Sequence, residues 1–350
     1  MTDGGDGFGE VMSGLLGAVP QVINTCDAAH RPCRARWWWE PGTRTAIIES
    51  AEVIGLAMLP PGKFHPFDLD SYGLGRVLRA VVDKGARRCL VGLGGSATND
   101  GGFGVARSVG WQFVAKNGKP IVNWAELPLV TQISSSRGLA LPELVVAVDV
   151  QNPLLGPDGA TRVYGPQKGL KPKDFALAER AFLQLAKLIE RQKGRRLDRA
   201  PGAGAAGGLG FGFLAFFGGD LERGFDLFAK ETSLQSRLGA KDLVITGEGA
   251  IDNSTFMGKG AGQVAGLCRK LKIPCIGLAG DLVFKKRPNK LFTRLCALTG
   301  LTSAAQAMRE PARWLEQLAK QVADSWPKKS RHGGSRKGLN STKRGVPSRA

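Results

Sequence analysis

Residues 88–102 read RCLVGLGGSATNDGG. The apolar run Cys89-Leu90-Val91 passes at once into a glycine loop, and a glycine loop closing a buried strand is how α/β enzymes bring bare backbone against phosphate. Upstream, Leu74, Val77, Leu78, Val81 and Val82 recur at i, i+3, i+4, i+7 and i+8, which predicts an amphipathic helix over 73–85 ending near Gly85. Downstream, the loop opens a helix that runs to about Gly110. Helix, strand, glycine loop and helix in succession are the grammar of a doubly wound α/β sheet.

The same order returns later in the chain. Residues 243–246 form a short apolar strand, TGEGAIDNSTFMGK (246–259) reads as a second glycine loop, 260–271 is helical, and 274–278 is a strand ending in Ala279-Gly280. A further glycine-rich segment, PGAGAAGGLG, occupies 201–210. Between these blocks, strands at 46–48 and 145–150 flanked by proline and glycine turns suggest a second domain. Residues 174–193, opened by Asp174 and closed by Gly194, put Leu177, Phe182, Leu185 and Ile189 on one helical face. Trp37, Trp38 and Trp39 pack a sheet and its edge, since no second aromatic platform accompanies them to stack a base.

A chain of 350 residues has room for two domains with sizeable cores. Its longest nearly apolar stretch, 211–217, is far short of the ~20 residues that span a bilayer, and its start lacks a basic region followed by an apolar one, so a cytoplasmic protein is expected. Six scattered cysteines without a CxxC read as reduced core residues, and Cys26 and Cys33 with His30 between them lack the second half of a metal site. The formal charge of +19 is inflated by the tail: eight Lys or Arg and no acid follow Asp324, which leaves +11 for the body. Residues 327–350, basic and almost without apolar side chains, form a disordered tail, and nucleic-acid binding through it lacks a recognition motif.

Phosphoryl transfer asks for backbone amides and cations around the phosphates and carboxylates that hold Mg²⁺. Asp100 lies in the first glycine loop, Glu248 and Asp252 in the second, Asp149 at the end of a strand, and Lys168 and Lys259 each beside a glycine. Singly, such an Asp is more often a helix cap and such a Lys a turn residue; their concentration at strand ends makes the case for a site. Asn253 stands where a Walker A loop ending at Gly258-Lys259 needs glycine. GLGGSA fits the loose dinucleotide pattern, but no acid occurs over 101–125 to take a ribose.

These residues resemble the type I glycerate kinases. DGGDG (3–7), SYGLG (71–75), GGSATNDGG (94–102), DVQNPLLGPDGA (149–160), YGPQKG (164–169), PGAGAAGGLG (201–210), TGEGAID (246–252) and GK (258–259) follow the family's motifs in order, from Thr2 to about Trp326. The resemblance implies an α/β protein of two domains around an active-site cleft: a discontinuous Rossmann-like parallel-sheet domain (1–15, 68–112, 224–326) and an inserted mixed α/β domain (16–67, 113–223). It implies ATP-dependent phosphorylation of glycerate with Mg²⁺, by a monomer or homodimer whose partners are small molecules. Catalysis would fall to Asp100, Asp252, Lys168 and Asp149, with Asp252 and Asp100 on the metal. Nucleotide and substrate would meet Asp3, Gly4, Gly5, Ser71, Gly94, Gly95, Ser96, Thr98, Asn99, Gln167, Gly204, Gly207, Gly247, Glu248 and Lys259.

The chain departs from the family pattern in three places. It opens inside the DGG motif, where members usually carry an earlier strand and helix with a DS(F/Y)K-like segment. Ala250 replaces the arginine usual within GEGRID, and Met257 a histidine usual before GK. These departures motivate the alternative reading, a family member that binds nucleotide or sugar acid without turnover.

Overall fold

The computed structural model describes residue 2 and residues 4–135, 139–256, 260–284 and 291–326. Asp3, Met257, Lys259 and the basic tail therefore lie outside the described residues.

Eleven strands occur among the described residues: β1 (Val19–Cys26), β2 (Pro32–Glu40), β3 (Thr45–Glu49), β4 (Arg88–Leu93), β5 (Trp111–Ala115), β6 (Val130–Ser135), β7 (Glu143–Val148), β8 (Asp220–Arg223), β9 (Val244–Asp252), β10 (Cys275–Val283) and β11 (Arg294–Ala297). They form a six-stranded sheet in the order β1-β2-β3-β4-β7-β8, a three-stranded sheet β11-β10-β9 and the pair β5-β6. In the large sheet β2 pairs antiparallel with β1 on one side and β3 on the other, whereas β3, β4, β7 and β8 run parallel. The three-stranded sheet is parallel throughout. The fold is thus α/β with parallel pairing dominant, as the sequence grammar implies.

Parallel strands covered on both faces need apolar side chains on both, which is why β4 and β7 read as continuous hydrophobic runs. Alternate residues serve different cores. Cys89, Val91 and Leu93 of β4 join Leu144, Val146 and Val148 of β7 against the helix Leu74–Asp83, while Leu90, Val145 and Ala147 face Phe8, Met12 and the helix Gly224–Glu231. A third core, centred on Trp124, Phe103, Phe113 and Phe182, lies under the β5-β6 pair and the long helix Pro172–Lys193. Trp37, Trp38 and Trp39 sit in β2 and are buried, as a sheet-packing role requires.

Strand pairing joins segments that the sequence grouping separates. The glycine-loop strand β4, grouped above with 224–326, is hydrogen-bonded to β3 on one side and β7 on the other, in register from Thr45↔Arg88 and from Arg88↔Glu143. Its side chains are apolar on both faces, as a central strand requires.

Three local expectations also change. TGEGAID predicts a loop, yet β9 continues through Asp252, with Gly247 to Asp252 paired to β10. PGAGAAGGLG predicts a loop, but Ala205–Phe217 is a helix kinked near its start, where Ala206, Gly207 and Gly208 take left-handed conformations (φ 51°, 68° and 85°). Asp174 does not open the long helix; that helix begins at Pro172, and the Asp174 carboxylate accepts from the Lys171 N–H at 2.9 Å, which lowers its pKa. Gly194 closes it at φ 69°, as predicted. All six cysteines are free thiols. No helix among the described residues is long and apolar enough to cross a membrane.

Candidate active site

The carboxyl ends of three adjacent parallel strands converge. β3 ends at Glu49, β4 delivers Gly94 and Gly95, and β7 delivers Asp149, so all three line one cavity of about 960 Å³. This is the end of an α/β sheet where ligands bind, because backbone amides and helix N-termini gather there. Ser96, Gln167 and Lys168 also line the cavity. Six residues marked by the sequence are therefore brought together: Gly94, Gly95, Ser96, Asp149, Gln167 and Lys168.

Lys168 is the centre of this group. The turn Pro166–Lys168, closed by Gly169 at φ 99°, aims its side chain inward until only 7 % of the residue is exposed. Its Nζ donates to the Ser96 hydroxyl at 2.9 Å and to the Thr98 carbonyl at 2.7 Å. In the protonated form two of three ammonium donors are thus occupied, with one left over for a ligand. Burial pushes its pKa down to about 7, with the nearby Asp100 carboxyl opposing the shift. Beside it, Thr98 Oγ1 and both amide atoms of the wholly buried Asn99 have no protein partner, so buried polar capacity is in hand at this loop.

The loop is held by its neighbours. Leu56 N–H donates to Gly95 O at 2.8 Å and Ala97 N–H to Ile54 O at 2.7 Å, so residues 54–56 pair with 95–97. Gly94 lies against the amino-terminal DGGDG segment: a Cβ there would stand 2.4 Å from Gly5 Cα. Gly4, at φ 100°, packs on Ala147 in the same way. Glu49 then holds the start of the helix Phe8–Leu16, accepting from the Gly7 and Gly9 N–H groups at 2.9 Å each, where a carboxylate also meets the positive end of the helix.

Several marked residues do not line the cavity. Asp100 is wholly buried and does not line the cavity; its Oδ2 accepts from Ser71 N–H (2.9 Å), Ser71 O–H (2.8 Å) and Gly104 N–H (2.9 Å), and its Oδ1 from Gly102 N–H (3.2 Å). Burial raises its pKa and the neighbouring Asp70 adds to the rise, against these hydrogen bonds. Asp100 and Ser71 together tie the 69–72 segment to the helix Phe103–Ser108. Gly204 and Gly207 pack backbone against backbone: a Cβ on Gly207 would stand 2.0 Å from Thr98 O, and one on Gly204 2.3 Å from Pro153 O.

Gly247, Glu248 and Asp252 sit on β9 of the three-stranded sheet and are not among the cavity's lining residues. Asp252 Oδ1 accepts from Ser254 N–H (2.7 Å), Ser254 O–H (2.5 Å) and Thr255 N–H (3.3 Å), and Thr255 O–H donates to Glu248. Asp252 is the cap of the short helix Asn253–Phe256. Among the described residues no three His, Cys, Asp or Glu side chains gather where they could hold a metal ion, so Asp100 and Asp252 are not brought into one such cluster. Mg²⁺ in phosphotransferases commonly rests on one or two carboxylates and the substrate phosphates, and Asp6 and Asp149 both line the cavity.

The sequence reading misses one wall. Residues 56–62, Phe64 and Leu69, together with Tyr164 and Ala206, also line the cavity. The Pro60-Pro61-Gly62 turn signal is visible in the sequence, but nothing in it says that this turn lines the same cavity as the glycine loop.

Comparison with known proteins settles the ancestry. Residues 1–327 match the model of the glycerate kinase family. The chain belongs to the glycerate kinase family. It is 34 % identical over 340 residues to a glycerate kinase of Halalkalibacterium halodurans, covering 94 % of this chain and 89 % of that one. It is 34 % identical over 287 residues to the glycerate 2-kinase of Escherichia coli, covering 81 % and 75 %. A Salmonella typhimurium LT2 crystal structure assigned as glycerate kinase 2 superposes with a TM-score of 0.76 at 32 % identity, covering 92 % of this chain and 88 % of that one. Family membership makes the protein a phosphotransferase with an α/β fold.

Proposed function

We propose that this glycerate kinase family member transfers the γ-phosphoryl group of ATP to a hydroxyl of glycerate in the cavity at the carboxyl ends of β3, β4 and β7. The observation that carries the reading is Lys168: a buried lysine with a spare donor, fixed between Ser96 and Thr98 on the glycine loop. Such a group supplies positive charge where phosphate or carboxylate arrives, and a low-dielectric setting strengthens it. The cavity volume of about 960 Å³ is at the top of the range for ligand sites and exceeds what glycerate alone would fill.

In this reading Lys168, Ser96 and the Gly94-Gly95 backbone orient the anionic groups, and Gln167 contacts a ligand hydroxyl. Asp149 and Asp6 are the carboxylates that would hold Mg²⁺, whose chemistry is to neutralise charge on the transferring phosphoryl group. Asp100 positions the glycine loop from behind. Because Glu248 and Asp252 stand on β9, any part they take requires the three-stranded sheet to present them to the cavity.

The test is glycerate-dependent release of ADP from ATP by the purified protein, with phosphorus NMR of the product to assign the 2- or the 3-phosphate. Turnover abolished by a chelator and restored by Mg²⁺ is the expected companion result. Nucleotide binding without glycerate-dependent turnover would replace this reading with that of a non-catalytic binder.

A further inference from the structure

The wall next to the glycine loop is apolar in its side chains. Leu56, Met58, Leu59, Pro60, Pro61 and Phe64 carry no side-chain hydrogen-bonding group. Except at Phe64, their backbone donors are spent as well. Leu56 N–H goes to Gly95 O, Met58 N–H to Gly55 O and Leu59 N–H to Leu56 O, while Pro60 and Pro61 have none. The Met58 carbonyl already accepts from Arg31 Nη2 at 3.0 Å. The wall is also fixed in place, because the 54–56 segment is paired with the glycine loop and Arg31 lies over the Phe64 ring at 5.5 Å from its centroid.

Resting on the reading of the cavity as the ATP site, we propose that this wall holds the nucleobase of the phosphate donor by apolar contact alone, so that the enzyme accepts purine nucleoside triphosphates without regard to the groups on the base edge. The occupant follows from continuity. The same cavity runs from the glycine loop and Lys168, which suit phosphate, to the apolar wall, which suits a ring face, and its volume accommodates both parts of one ligand. Selecting adenine from guanine requires donors and acceptors matched to the exocyclic groups, since discrimination by a factor of 10⁴ or more comes from hydrogen-bonding sites and not from apolar ones. The nearest side-chain amide on the lining, Gln167, is exposed and can present either its carbonyl or its NH₂, so it matches a 6-amino or a 6-oxo group equally.

The experiment compares ATP, GTP and ITP as phosphate donors to glycerate and, independently of turnover, as competitors of a fluorescent ATP analogue bound to the protein. Values of kcat/KM and of competition constants that agree within about tenfold across the three are expected; a preference for any one above tenfold overturns the proposal. A second arm uses Leu56→Ala and Met58→Ala, both at partly exposed positions whose backbone pairing is unaffected. The nucleotide Kd should rise about three- to tenfold in each, with the glycerate KM unchanged. An unchanged nucleotide Kd, or a changed glycerate KM alone, would mean that the base lies elsewhere. Failure of every nucleotide to phosphorylate glycerate would instead count against the activity itself, while the competition data would still decide the base question.

Discussion

Two glycine-rich segments that follow parallel strands look alike in sequence and end up unlike in structure. GLGGSATNDGG after β4 is a packed loop; TGEGAID stays extended as β9. At the first, every glycine is pressed from outside: Gly94 against Gly5, Gly101 against Phe182 and Leu185, Gly102 against Gly212. At the second, Gly249 has nothing within 4 Å of where a Cβ would stand. Glycine throughout the first segment is pressed by elements distant in the chain, whereas at the second only Gly247 is, against Leu278 O at 2.5 Å, and Gly249 stands open. The contrast also separates the carboxylates. Asp100 is sealed behind its loop by four hydrogen bonds, and Asp252 caps a four-residue helix beside partly exposed backbone.

The sharpest way to break this comparison is Gly94→Ala. The added methyl would meet the backbone of Gly5 at 2.4 Å, which no side-chain rotation relieves. A loss of ~3 kcal/mol in unfolding free energy is expected by denaturant titration, at the upper end of overpacking costs. An unchanged midpoint would show that the amino-terminal segment yields freely.

Next in size is Lys168→Met, expected to lower kcat/KM for glycerate by about ten- to a hundredfold, the equivalent of ~1.5–3 kcal/mol for a charge-assisted contact. Lys173→Met, on the exposed start of the long helix, serves as control. A distinct signature comes from protons. With the folded-state pKa near 7 and an ordinary value of 10.5, the lysine is neutral when folded and charged when unfolded across that window. Unfolding then takes up a proton, so wild-type stability should rise as pH goes from 7 to 10.5, and that rise should vanish in Lys168→Met. An equal slope in both proteins would remove Lys168 as its source.

At the small end, Gly249→Ala should alter stability by no more than ~0.5 kcal/mol, because the site is exposed and unobstructed. A larger loss would show that β9 is packed by something beyond the described residues.

What was legible in the sequence is what local pattern determines. The helix Leu74–Asp83, the strand β4 and the αL stop at Gly194 all follow from apolar spacing and glycine punctuation, and the motif strings carry the family. What was not legible depends on which segments meet. Gly204 and Gly207 are marked by their motif, but nothing in the sequence says that Pro153 and Thr98 lie against them. Lys168 looks like a surface turn residue until Ser96 and Thr98 are found around its ammonium. The apolar wall at 56–64 carries no motif at all, since apolar contact leaves no residue-specific signature. Its role rests on lining the same cavity as the glycine loop.

The meeting of Gly102 and Gly212 has a consequence for how this protein can change. A Cβ on either would stand 2.7 Å from the Cα of the other. In most packed pairs a larger residue on one side can be offset by a smaller one on the other, and such trades let a core drift through sequence space. Here neither partner has anything to give up. The two positions are coupled in space yet closed to compensation, so the route of variation around this loop must pass through its neighbours and leave this pair as it is.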